Sequence, residues 1–132
     1  MRSREHAVLL LRKASQDIYV LEKLSADLAA PDEVLGFHAQ QAVEKMLKAV
    51  LTNRAIRYGR THDLTDLLKL LHENRFSIPA DLEEVTLLAP FAAEFRYTEL
   101  PAQPPFDRSR ALELVRRVRS WAECVIQQKL DE

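Results

Sequence analysis

Between Leu35 and Leu51 the apolar residues Leu35, Ala39, Ala42, Val43, Met46, Leu47, Val50 and Leu51 recur at intervals dominated by three and four. That period belongs to an α-helix, and the stripe is wide enough to meet several neighbours at once. A helix of this kind needs other amphipathic elements to cover it, and the rest of the chain supplies them. Ala7, Leu11, Ala14, Ile18, Leu21 and Leu28 form an apolar stripe along a first helix, about Arg4 to Leu28. It stops before Pro31, because the residue preceding a proline is pushed out of the helical region. Pro31-Asp32-Glu33 then opens the central helix, with proline in the first turn and acids at the positive end of the dipole. This second helix is expected to run to about Asn53.

A short third helix from Asp63 to Asn74 turns Leu64, Leu67, Leu68 and Leu71 inward, with Asp63 as its N-cap. A fourth helix is expected to begin near Pro79 and to end near Tyr97. It should kink or break at Pro90, since proline inside a helix removes one hydrogen bond and costs about 3 kcal/mol or more. Leu100 to Pro105 reads as an extended linker. Asp107 then caps a last helix carrying Leu112, Val115, Val118, Ala122, Val125 and Ile126. Only Gly36 and Gly59 are glycine, too few for the many turns of a β-rich domain. The pattern predicts an all-α fold: an antiparallel up-and-down bundle of four long helices plus one short helix, forming one domain over residues 1–132.

Nineteen basic residues face twenty acidic ones, so no global field draws the protein to nucleic acid or to a membrane surface. Cys124 is alone, which excludes an intramolecular disulfide and a cysteine-based zinc site. The N-terminal residues lack the apolar region and cleavage site of a signal peptide, and the chain reads as cytoplasmic with no membrane partner. There is no glycine-rich phosphate loop, nucleophile elbow or His-Glu-x-x-His motif, and His6, His38, His62 and His72 show no metal-ligand spacing. Neither a metal nor a cofactor is expected. The acidic residues read as lying along solvent faces.

Five polar groupings remain as candidate sites. His38, Gln41, Lys45 and Lys48 share one face of the second helix and could receive phosphate oxygens of a nucleotide or RNA. The same face also fits a solvated surface with Glu44–Lys48 as an i,i+4 pair. Gln40 and Gln41 lie in an apolar surround, where a buried amide finds partners either in a self-associating interface or in its own chain; His38 and Gln41 are the interface candidates. Arg57 and His62, five positions apart, are the candidate pair for RNA cleavage. The imidazole would serve as acid or base, and the guanidinium would stabilise the pentavalent phosphorane. Arg96 and Tyr97 could hold a phosphate and stack on a base, or close a helix end and join the core. Arg108, Arg116 and Arg119 form a basic face that suits an RNA, an acidic partner or solvent.

The run from Phe37 to Leu51, FHAQQAVEKMLKAVL, with Arg60-Thr61-His62-Asp63-Leu64 and Arg96-Tyr97, resembles the HEPN family of small helical domains over about residues 5 to 130. The resemblance implies a dimerising bundle of four or five helices. One branch of that family comprises metal-independent RNases with an R-x4-6-H motif near the start of a late helix. Here no histidine follows His72, and Arg57–His62 is the one pair of that spacing considered, early in the chain. The sequence looks more like the second branch, stand-alone partners of minimal nucleotidyltransferases grouped with toxin–antitoxin systems. That implies a dimeric nucleotide-binding or partner module, with Lys45, Lys48, His62, Arg96 and Tyr97 toward the nucleotide and no catalytic residue assigned. The alternatives are an RNase toxin using Arg57 and His62, and a purely structural assembly domain.

Overall fold

The computed structural model describes residues 2–91 and 106–131, with side chains to Gln127. Four α-helices and one 3₁₀ helix follow in order: α1 Arg2–Ser25, α2 Asp32–Asn53, α3 Leu64–Glu73, the 3₁₀ segment Ala80–Phe91, and α4 Arg108–Asp131. No strand occurs among the described residues, as the periodicity predicts. Arg96, Tyr97 and the Leu100–Pro105 stretch lie outside the described residues.

The wide stripe of α2 makes it the central helix, in contact with every other element. Leu35, Ala39, Ala42, Val43, Met46, Val50 and Leu51 are fully buried there. Ala7, Ala14, Ile18 and Leu21 of α1 cover one side, and Val115, Val118 and Ala122 of α4 another. Leu28 is a correction: α1 ends at Ser25, and Leu28 stands 92% exposed on the connection to α2. The predicted caps form where the sequence puts them. Asp63 accepts from the Thr65 amide at 2.9 Å, and Asp107 from the Arg110 amide at 2.9 Å.

Side-chain contacts tie the helices together and give the direction of α3. Asp17, in the middle of α1, reaches both His38 and Lys45 of α2, and Arg116 of α4 reaches Glu22 of α1. After α2 the chain doubles back: the His62 carbonyl meets Gln40, level with the middle of α2. From there α3 runs the same way as α2, bringing Phe76 under the Arg54 guanidinium at 5.2 Å. Strict alternation would have it run the other way.

The fourth element is a second correction, since an α-helix was expected and a 3₁₀ helix is found. Its buried residues explain the choice. Leu82, Val85 and Leu88 are three apart, and three residues per turn stacks them along one edge of the helix. A second edge, Asp81 and Glu84, faces Arg117 and Arg110 of α4. The third carries Glu83, which pairs with His72 of α3. At its end, the Phe91 ring occupies the space a Cβ on Gly36 would need, and it packs against Phe106 with ring centroids 5.2 Å apart. At the other end the Trp121 indole donates to the Ser77 carbonyl at 3.0 Å.

Both α2 and α3 finish in Schellman turns. Ile56 and Ala55 donate to Leu51 and Thr52, while Phe76 and Arg75 donate to Leu71 and His72. The left-handed residue is therefore Ala55 in one (φ 57°) and Arg75 in the other (φ 64°), where glycine is the unstrained choice. Arg75 is exposed. Replacing it by glycine removes about 1–2 kcal/mol of steric penalty, partly offset by added freedom of the unfolded chain. Arg75→Gly is expected to raise stability by about 0.5–1 kcal/mol in urea unfolding. A lower midpoint would show that the Arg75 side chain contributes more than its backbone costs.

Candidate functional site

The polar face of α2 meets two carboxylates that the sequence reading left on solvent faces. Asp17 is 8% exposed and Glu44 is 5% exposed. Asp17 belongs to the inward stripe of α1, three residues after Ala14 and four before Leu21, and that spacing was the available signal. It accepts from Lys45 Nζ at 2.5 Å on one oxygen and contacts His38 Nδ1 at 3.0 Å on the other. Glu44, four residues after Gln40 and three before Leu47, holds a parallel set of partners. Lys48 Nζ donates to it at 3.0 Å, His62 Nδ1 lies 3.0 Å away, and Gln40 Nε2 donates to its second oxygen at 3.1 Å.

Each carboxylate thus gathers one lysine and one imidazole. The Lys48–Glu44 pair has side-chain exposures of 12% and 6%, so it lies inside the protein and not on a solvated face. Gln40 is fully buried and its amide is satisfied by Glu44 and the His62 carbonyl; Gln41 in turn donates to Gln40 Oε1 at 2.7 Å. The amides therefore find their partners in their own chain. His62 differs from the rest of the network, because its side chain is 74% exposed while Nδ1 is held by Glu44.

Arg57 is not brought into this network. It lines an open surface pocket of about 370 Å3 formed by the first turns of α1, the end of α2 and the connection after it, and His62 is not among the lining residues. A second, larger groove of about 570 Å3 runs between the 3₁₀ segment and α4, with Trp121 and Leu82 in its wall and Glu113, Arg116 and Arg117 on its rim.

The basic face of α4 is largely committed to acids. Arg110 makes a two-pronged contact with Glu84 at 2.7 and 3.0 Å, and that hydrogen bonding holds its guanidinium above its ordinary range. Arg117 pairs with Asp81 at 2.6 Å. Arg108, 19% exposed, donates to the carbonyls of Leu24, Ser25, Asp27 and Ala30 and to the Asp32 carboxylate. It therefore satisfies carbonyls at the end of α1 that have no helical donor. Among the described residues, no group of three or more His, Cys, Asp or Glu could hold a metal ion. No helix among them is long and apolar enough to cross a membrane.

The helical bundle around the doubled carboxylate network is matched by the HEPN domain model over residues 7–125, nearly the whole chain. The chain belongs to the HEPN family. No curated protein and no solved structure matches it significantly. For this HEPN domain, the α2 motif has a structural meaning. Its Glu44, Lys45 and Lys48 build ion pairs that join α2 to α1 and to the residues leading into α3.

Proposed function

We propose that this HEPN domain is a dimeric, non-catalytic binding module that holds a nucleotide and pairs with a minimal nucleotidyltransferase. One observation carries the reading: Arg57 has no contact with the hydrogen-bonded network that holds His62, and the pocket that Arg57 lines does not include His62. An acid–base residue and its phosphate clamp have to meet at one scissile bond. The partner and the toxin–antitoxin setting rest on the resemblance of the α2 motif to that branch of the family.

The exposed His62 imidazole held by Glu44 favours one second reading. A carboxylate that fixes Nδ1 leaves Nε2 outward, which is how an imidazole is prepared for proton transfer. The RNase reading therefore keeps a specific test. Purified protein incubated with a mixed RNA pool without metal is expected to leave it intact. Cleavage by the wild type that vanishes in His62→Ala and in Arg57→Ala would replace the binding-module reading by catalysis.

A further inference from the structure

The formal charge of the chain is -1, yet its charges are unevenly placed along the bundle. At the C-terminal end of α2, Ser3 and His6 of α1 meet Thr52, Ala55 and Arg57. The end of α3 joins them, with the Phe76 ring 5.2 Å from the Arg54 guanidinium. Arg2, Arg4, Arg57 and Arg75 are exposed there and Arg54 is partly buried, with Glu5 and Glu73 standing against them. That end is basic.

About 30 Å away, at the other end of the 22-residue α2, the balance is reversed. The Arg108 guanidinium reaches the Asp27 carbonyl and the Asp32 carboxylate, so Asp27, Asp32, Glu33 and Asp107 gather around it. All four acids are exposed, whereas Arg108 is half-buried. From this acidic end projects Leu28, next to Asp27 and 92% exposed, with Val34 38% exposed one turn into α2. The basic end is hollow where the acidic end projects. Its open pocket of about 370 Å3 has Ala55, Ile56 and Tyr58 in the lining, beside Arg57, and admits one aliphatic side chain.

We infer that the two ends dock on each other between copies of this chain, head to tail, with Leu28 of one copy in the Arg57 pocket of the next. Asp27, Asp32 and Glu33 then face Arg2, Arg4 and Arg57 across the contact. Surface ion pairs contribute little individually, so the charges align the ends during encounter and the burial of Leu28 holds them. The two surfaces differ, so each copy keeps one knob and one pocket free, and the assembly extends without closing. An RNA backbone would use the arginines alone and leave Leu28 and its acids without a role. The contact is independent of the nucleotide reading and of a closed dimer formed through another face.

The test is sedimentation velocity of the full chain over a range of concentrations, for the wild type, Leu28→Asp, Arg57→Glu and an equal mixture of the two variants. Both positions are exposed, and circular dichroism checks that both variants fold. The wild type is expected to grow beyond a dimer with concentration at low salt, and to associate about tenfold or more weakly near 0.5 M salt. Each variant alone is expected to lose that growth. The mixture is expected to regain association, because the intact Leu28 of one variant meets the intact pocket of the other. Growth retained in either variant, or no recovery on mixing, overturns the contact. Growth abolished by ribonuclease treatment also overturns it and assigns the arginines to RNA. A mass fixed at a dimer at every salt concentration overturns the contact and leaves the dimer reading intact, whereas a monomer throughout overturns both.

Discussion

Glu44→Ala is expected to lower the stability of this HEPN domain by about 3–5 kcal/mol, because it strands the buried partners of a charge network. The lost carboxylate serves three groups at once. Lys48, 12% exposed, keeps its ammonium but loses its counterion, and the Nε2 group of Gln40, fully buried, keeps only the His62 carbonyl as acceptor. His62 also loses the contact that ties the entry of α3 to α2. For a chain of this length the loss corresponds to a drop in melting temperature of about 10–20 °C. Replacing both charges together, Glu44→Leu with Lys48→Met, is expected to recover only the part of that loss due to the stranded ammonium, since an apolar pair needs no counterion while Gln40 and His62 still lose their acceptor. A double-mutant cycle by urea denaturation measures the coupling. A cost below about 1 kcal/mol for Glu44→Ala would mean that water reaches this carboxylate, as it does an ordinary surface pair.

Arg108→Ala has the second largest expected effect, about 2–4 kcal/mol, because bonds to a charged donor are worth about 1.5–3 kcal/mol each and do not add. One guanidinium spans the turn between α1 and α2, reaching Asp27 O at 2.8 Å, Ala30 O at 2.6 Å and Asp32 Oδ1 at 3.0 Å. Lysine cannot reproduce this fan of donors, so Arg108→Lys is expected to recover little. Amide hydrogen exchange locates the damage: protection should fall first from the last turn of α1 through the first turn of α2. Uniform loss of protection across the whole domain would show that Arg108 contributes to global stability without clamping that turn.

Much of the fold was readable because backbone signals are local. Pro31, Asp63 and Asp107 mark helix starts through dihedral limits and side-chain caps that need no knowledge of the tertiary structure. The 3₁₀ segment was misread because Leu82, Val85 and Leu88 fit both a spacing of three residues per turn and a loose α-helical stripe. Only contact with α2 and with the arginines of α4 decides between them. The α2 carboxylate network was missed for a different reason. Asp17 and Glu44 lie on buried stripes, and burial of a charge becomes sensible only once its lysine and imidazole are known to converge from another helix or loop. Arg108 shows the same limit, since a basic residue near the start of a helix carries no sign that it will cap a different one. Arg57 was singled out for its spacing to His62, whereas the fold sets it beside Ser3 and His6 from the other end of the chain.

Trp121 is the only tryptophan, and its indole is hydrogen-bonded to Ser77, between α3 and the 3₁₀ segment. The intrinsic fluorescence of the protein is therefore a local gauge of how firmly that segment sits on α4. It reports little directly about the far side of the molecule, where α1 and α2 are joined. Emission and helical ellipticity consequently observe two different seams of one small bundle, and agreement between their unfolding curves is what would qualify the domain as a single cooperative unit.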